Sequence, residues 1–402
     1  MDRKKNVPKI RFQNFEAEWL DSTIGRHISL LNGRAYKQEE LLDEGKYRVL
    51  RVGNFNTNSK WYYSNLELEE NKYVNKGDLL YLWATNFGPE IWTEERAIYH
   101  YHIWKLEFDR TEINQDYLNI WLESDKSKIQ PNTNGSTMVH ITKTMMEERG
   151  ISLPNFDEQS AIGSLFRTLD DLLAGYKDNF TNYQSLKATM LSKMFPKAGQ
   201  TVPEIRLDGF EGEWVEKRLK DISKRVTRKN NDLVSERALT ISAQFGLIDQ
   251  EEFFQKKIAS KDVSGYYLIK KGEFAYNKSY STGYPLGAIK RLDKYEDGVL
   301  STLYIIFKAV DVDSDYLAHY YESDKWHREV SMCAAEGARN HGLLNIAPVD
   351  FFNTRLVVPK ELEEQRAIGF FFSNLDNLIV AHQEKISQLE TLKKKLLQDM
   401  FI

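Results

Sequence analysis

The residues best suited to chemistry in this 402-residue chain are cations and hydrogen-bond donors gathered in a few short stretches. The densest, 217–229, carries Lys217, Arg218, Lys220, Lys224, Arg225, Arg228 and Lys229 against the single acid Asp221. An earlier stretch supplies Arg34, Tyr36 and Lys37, followed by Arg48 and Arg51. Donor-rich loops accompany both. The first half has Asn54, Asn86 and Thr137; the second has Gln244, Asn277, Lys278, Tyr280, Arg339, Asn340 and His341. Such side chains pair with phosphates and base edges, so the chemistry they offer is non-covalent recognition of nucleic acid. Each residue taken alone is more at home on a solvated face. The recurrence of the set in both halves keeps nucleic-acid contact beside that plain reading.

Spacings that support catalysis are missing. The sequence has no G-x-x-x-x-G-K-[ST] phosphate loop, no G-x-G-x-x-G turn, no H-E-x-x-H and no G-x-S-x-G elbow. The eight histidines are scattered; His100 and His102 flank Tyr101 in an alternating, strand-like run and lack partners at metal-ligand spacing. No metal, cofactor or catalytic residue is expected on this chain. The single cysteine, Cys333, lies beside Ala334 and Ala335 and reads as a buried, inert thiol. One cysteine excludes a disulfide framework and suits a reducing compartment, so a cytoplasmic protein is expected. No apolar stretch approaches a membrane span, and the basic start has no apolar run behind it. Lys+Arg 55 against Asp+Glu 59 gives a net charge of −4, which argues against a general polyanion coat.

The elements that position these residues come from a repeat. Residues 8–19 and 203–214 are identical at seven of twelve positions, at an offset of 195. Lys76-Gly77-Asp78 matches Lys271-Gly272-Glu273 at the same offset, and Asp116-Tyr117-Leu118 matches Asp315-Tyr316-Leu317 at 199. Residues 159–195 align without gaps to 365–401, identical at 13 of 37 positions. Register kept over such lengths means tandem duplication of a unit near 200 residues.

The second part of each unit reads as a long helix. After Pro154, apolar residues fall in steps of three and four through Leu165, Leu169, Leu172, Tyr176 and on to Met194. After Pro359 the series runs through Leu375, Ile379, Ile386 and Leu389 to Met400. A 37-residue helix is about 55 Å long. Two such stripes predict a helix pair, the plainer alternative being that each helix packs only on its own domain. The first part of each unit is mixed, with β-like runs at 47–52, 98–106, 301–307 and 355–358 and short helices at 116–126 and 315–325. The expected fold is α+β: two similar globular mixed α/β domains joined by two long antiparallel helices, a pseudo-twofold tandem duplication. The domains span 1–153 and 197–357, the helical segments 154–196 and 358–402.

This arrangement resembles the specificity subunit of type I restriction-modification systems. The resemblance rests on Gly33-Arg34-Ala35-Tyr36, Lys76-Gly77-Asp78, Gly135-Ser136-Thr137 and Gly337-Ala338-Arg339-Asn340. It rests equally on the Pro … Glu-Gln-x-Ala-Ile-Gly entry to each helix, at 154–163 and 359–369. It spans essentially the whole chain, and the order of motifs, repeated, is more specific than any one. It implies that each domain reads one half of a split double-stranded DNA site and that the helices set the spacer. Two adenine-N6 methyltransferase subunits would dock on the helices, with Leu165, Leu169, Leu172, Tyr176, Leu375, Ile379, Ile386 and Leu389 as the partner-binding stripe. Two restriction/translocase subunits would join them, and S-adenosylmethionine, ATP and Mg2+ would sit on these partners. The alternatives are a related system with a fused methyltransferase-nuclease partner, or a duplicated coiled-coil adaptor that binds no DNA. The segment from Gly337 to Pro359 is three residues longer than that from Gly135 to Pro154, so Arg339, Asn340 and His341 have no secure equivalents in the first unit.

Overall fold

A computed structural model describes residues 7–55, 58–84, 87–126, 128–129, 141–242, 245–256, 262–279, 284–333 and 344–401. The chain folds as two compact units, residues 1–177 with 384–402, and residues 178–383. In the first, the order is β1 (Leu20–Thr23), α1 (Ile24–His27), β2 (Ile28–Asn32), β3 (Tyr47–Leu50), β4 (Tyr62–Ser64), β5 (Tyr73–Val74), β6 (Leu79–Leu82), β7 (Gly88–Ile91), β8 (Ala97–Tyr99), β9 (Ile103–Phe108), α2 (Gln115–Lys126), α3 (Lys143–Glu147), β10 (Gly150–Leu153) and α4 (Phe156–Lys193). The main sheet is antiparallel in the order β2-β9-β6-β7. Its inner strand β6, Leu-Leu-Tyr-Leu, is buried throughout, which is why it reads as an unbroken apolar run. A second sheet runs β4-β3-β8-β5, and β1 pairs with β10 at the foot of α4.

The second unit adds β11 (Val215–Arg218), α5 (Leu219–Ile222), β12 (Ser223–Val226), β13 (Leu239–Ser242), β14 (Gly246–Asp249), α6 (Gln250–Phe254), β15 (Tyr267–Lys270), β16 (Phe274–Asn277), β17 (Ala288–Arg291), β18 (Asp297–Leu300), β19 (Ile305–Ala309), α7 (Ser314–Tyr320), α8 (His327–Cys333), α9 (Pro348–Phe352), β20 (Arg355–Val358) and α10 (Leu362–Asp399). Its sheet β12-β19-β16-β17 repeats the first unit's main sheet strand for strand, and β11–β20 repeats β1–β10. The protein is therefore two mixed α/β domains joined by two long helices. Several expected elements differ in extent, among them the run at 47–52, which stops at Leu50. The run 98–106 breaks at 100–102, where the Ile103 N–H donates to the His100 carbonyl at 3.0 Å. The run 301–307 starts only at Ile305, behind a turn in which the Tyr304 N–H donates to the Ser301 carbonyl at 3.2 Å. The helix expected at 315–325 stops at Tyr320, where the Ser323 hydroxyl bonds the Tyr320 carbonyl at 2.6 Å and competes with further helix.

Each long helix has 38 residues and begins in a buried polar clamp. The Asn155 side chain accepts the Glu158 N–H at 2.9 Å, capping α4. Glu158 is fully buried and takes a two-pronged pair from Arg11, at 2.6 and 2.7 Å. Glu364 takes the same pair from Arg206, at 2.7 and 2.8 Å. The next residue, Gln159 or Gln365, turns back to the proline that precedes the helix, at 3.0 and 2.9 Å, and accepts a backbone N–H from Asn114 or Asp313, both at 2.9 Å. Gly163 and Gly369 then let the domain approach. A Cβ at either would lie 2.7 or 2.8 Å from the Cβ of Asp116 or Asp315.

Within each unit the helices run antiparallel. Asp170 pairs with Lys393, and Lys177 with Glu390 at 2.7 Å, in the first unit. Tyr183 meets His382, and Lys187 meets Asp376 at 2.5 Å, in the second. The end of each helix enters the core of the unit begun by the other. Phe401 packs on Tyr117 and Phe166, and Phe195 on Tyr316 and Phe372. Pairing with the other helix and packing on the own domain thus occur together. That shifts the buried stripe of α4 to Ile162, Phe166, Leu169 and Leu173 and leaves Leu172 46% exposed.

Glu158→Gln keeps shape but leaves Arg11 opposite an uncharged group, and should destabilise the first unit by about 3 kcal/mol. Phe401→Ala should cost the same unit about 3–5 kcal/mol. Hydrogen exchange measures both: protection is expected to fall in residues 1–177 and 384–402, and an even loss over the whole chain would contradict this division.

Candidate nucleic-acid interface

In the first domain the candidates gather around the turn between β8 and β9. The Arg34 N–H donates to the Tyr99 carbonyl at 3.0 Å, and the Tyr101 N–H donates to the Arg34 carbonyl at 3.1 Å. Gly33 makes this approach possible, since a Cβ there would lie 2.3 Å from the Tyr99 oxygen. The Arg34 guanidinium bonds Glu40 at 2.7 Å and lies 5.5 Å from the Tyr36 ring centre. The Lys37 backbone N–H, then Arg34, hold the Glu40 carboxyl below its usual range. The Tyr36 hydroxyl donates to the Tyr99 carbonyl at 3.3 Å, and burial pushes its phenol up. Arg51 covers the Tyr62 ring at 4.3 Å. Arg34 Nη1 and Arg51 Nε are buried donors without an acceptor among the described residues, an arrangement suited to an incoming anion. Lys37 is exposed. Arg48 pairs with Glu94 over Trp61, and Asn54 braces its own loop through the Arg51 N–H and the Lys60 carbonyl, both 3.1 Å. These last two are used by the chain itself.

The second domain splits in the same way. Lys224 and Arg225 project from β12, exposed and without a side-chain partner among the described residues. Arg228 departs from the expected role. It pairs at 3.0 Å with Glu273, which is only 4% exposed, and donates to the Leu268 carbonyl at 3.1 Å. A buried carboxylate needs its counter-charge, so Arg228 is first a structural residue. Lys229 donates to the Gly265 carbonyl at 2.7 Å and lies 4.4 Å over Tyr267. Asn277 accepts the Ser279 N–H at 3.0 Å, and Lys278 reaches the Ile346 carbonyl at 3.3 Å, with burial lowering its ammonium pKa. Asn86, Thr137, Gln244, Tyr280, Arg339, Asn340 and His341 lie outside the described residues.

Residues 16–179 match the family model described as the type I restriction modification DNA specificity domain. That match spans the first domain and the first part of α4. Over 412 positions it is 23% identical to the type I restriction enzyme MjaVIII specificity subunit of Methanocaldococcus jannaschii, covering 98% of this chain and 95% of that one. It is 26% identical over 158 residues to the type I restriction enzyme EcoBI specificity subunit of Escherichia coli, covering 39% of this chain and 32% of that relative. The crystal structure of a type I restriction-modification system S subunit from M. genitalium shares the fold, with a TM-score of 0.60 at 18% identity over 98% of this chain and 99% of that one. The description that matches the first domain is that of a DNA specificity domain.

Other features of the chain are not legible in its sequence. His319, Glu322 and Asp376 bring ligand atoms within 4.8 Å of one another, a metal-capable trio that spacing alone did not reveal. Lys187 fills it, with its ammonium 2.7 Å from Glu322 and 2.5 Å from Asp376. Burial opposes its charge, but the two carboxylates hold its pKa above the ordinary value. Cys333 is half-buried rather than buried, and burial pushes its thiol up, which keeps it protonated. On the helices, Leu169, Leu375, Ile386 and Leu389 are buried within the chain, so the expected partner-binding stripe is largely internal. Leu165, Tyr176 and Ile379 are half-buried, and the outward apolar positions are Leu172, Leu186, Phe370, Leu378, Val380 and Leu392. Among the described residues no helix is long and apolar enough to cross a membrane.

Arg228→Ala should lower stability by about 1–3 kcal/mol, because it strands the Glu273 carboxylate. Lys224→Ala and Arg225→Ala should change it by less than about 0.5 kcal/mol. Urea midpoints read the difference; equal midpoints for Arg225→Ala and Arg228→Ala would contradict the division between free and structural cations.

Proposed function

We propose that this chain is the sequence-reading subunit of a type I restriction-modification complex in the cytoplasm, each domain reading one half of a bipartite double-stranded DNA target. The observation that carries this is a framework repeated with its chemistry changed. The order of the main sheet, the Arg–Glu clamps and the helix entries recur in both units. The side chains set on that framework differ: the position of Arg34 is taken by Lys229, and those of Tyr36 and Lys37 by Asn231 and Asp232. Identical halves would suit a palindrome; different halves suit two unlike half-sites. A loop-bearing scaffold held rigid by buried clamps is what such reading requires.

The two long helices then act as the ruler between half-sites and as the surface on which two methyltransferase subunits dock. Their exposed apolar positions, Leu172 and Leu186 on α4 and Phe370 and Val380 on α10, support docking there. S-adenosylmethionine belongs to those partners, and ATP and Mg2+ to two restriction/translocase subunits. The chain contributes positioning and specificity, with no bond made or broken at its own residues. Free cations such as Lys37, Lys224 and Arg225 face phosphates, whose charge they neutralise without reading sequence.

Random-duplex selection with the purified methyltransferase complex should return two unlike half-sites at a fixed spacing, and no split preference would overturn the reading. Arg225→Ala should lower the slope of log affinity against log salt by about one, with the selected sequence unchanged. Seven residues inserted into both helices, after Lys177 and after Gln383, lengthen each by about 10 Å. The spacer should grow by about three base pairs at 3.4 Å per step, with both half-sites kept.

A further inference from the structure

At one end of the first domain's main sheet, Trp83 and the turn 100–102 form a continuous aromatic ledge. Ring centres lie 5.0 Å apart for Trp83 and His102, 4.0 Å for Tyr101 and His102, and 4.4 Å for His100 and Tyr101. The Trp83 Nε1–H donates to the Tyr101 carbonyl at 2.8 Å, which fixes the indole against the turn. Beneath, Trp83 stacks on Trp104 at 5.8 Å, and Trp104 on Tyr81, both core residues. Above, the ledge ends in Tyr101, 38% exposed at the tip of the turn. Burial, then His102 and Arg51, push His100 down to about 4, so near neutral pH it is an uncharged imidazole with one donor and one acceptor. The turn is also bonded to the Arg34 backbone, so ledge and guanidinium are held by the same strand crossing.

The second domain keeps the scaffold here and changes the side chains. Lys278 stands where Trp83 does: the Trp83 carbonyl accepts the Ile141 N–H at 3.3 Å, and the Lys278 carbonyl accepts the Leu344 N–H at 3.0 Å. The turn between β18 and β19 presents Ser301, Thr302 and Leu303, the last 57% exposed. We propose that Trp83 with residues 100–102 is the base-reading element of the first domain, and that Lys278 with residues 301–303 holds the same place in the second. This rests on the DNA-reading role proposed above. Aromatic rings suit thymine methyls in the groove, and neutral imidazole suits a purine edge. Lysine suits guanine O6 and N7, hydroxyls accept or donate, and leucine again suits a methyl. The two elements therefore favour different bases.

The test is random-duplex selection by the full chain in complex with its methyltransferase partner. Tyr101→Ala and His102→Gln should each reduce discrimination about tenfold at positions within one half-site, leaving the other half and the spacing as in the wild type. Lys278→Ala should do the same at the opposite half. Selectivity kept at the untouched half shows that the variant is folded; if Tyr101→Ala abolishes binding altogether, His102→Gln alone decides. Unchanged preference in the His102 variant, or relaxation of the same half by Lys278→Ala, overturns the assignment while the DNA-reading function stands. A wild-type complex with no split preference overturns the function and the ledge together.

Discussion

A carboxylate buried in the first turn of each long helix organises the rest of the molecule. Glu158 and Glu364 have almost no contact with solvent, and a charge in that position persists only when paired and hydrogen-bonded. Each is paired by an arginine from the segment that enters the domain, about 150 residues earlier in the chain, so the start of the domain and the start of its helix become one point. The arginine is itself held by the loop it spans: Arg11 donates to the Ala17 carbonyl and Arg206 to that of Gly212, both at 2.5 Å. With β1 paired to β10, and β11 to β20, at the same point, each domain's chain enters and leaves beside the start of its long helix.

The second constraint is reciprocal closure. The unit that begins with one helix is completed by the last turns of the other, through Phe401 on Tyr117 and Phe166 and through Phe195 on Tyr316 and Phe372. Duplication supplied both socket and plug, because each copy carried a helix ending in Met-Phe and a domain with a matching aromatic recess. A domain that owes part of its core to the other copy's helix cannot drift independently of that helix. This links packing to the proposed function, in which spacing matters as much as base contact.

The repeat, the two helices and the mixed domains were legible because identity in register and three-to-four periodicity are local properties. The failures are equally physical. The apolar series of α4 runs through Leu172, which is 46% exposed, because periodicity cannot tell a helix that buries one face from one that buries two. The turn at 100–102 reads as strand in sequence because it holds no Gly, Pro or Asn, only rings that suit a strand as well. Arg228 looked like a free cation because its acceptor, Glu273, lies 45 residues on, and tertiary pairing leaves no mark in a charge run. The Lys187 trio joins α4, α10 and the segment after α7, which no spacing rule connects. The net charge of −4 misled in the same way: it averages over many internal ion pairs and hides the few cations left over.

The central claim is that two unlike domains built on a repeated framework read two unlike half-sites. Methylated-base sequencing of DNA from cells expressing this chain with its methyltransferase partner tests it most directly. Methylation confined to a motif of two non-identical halves, separated by a constant number of unspecified base pairs, is the expected result. A contiguous motif, two identical halves, or a spacing that varies from site to site would contradict it.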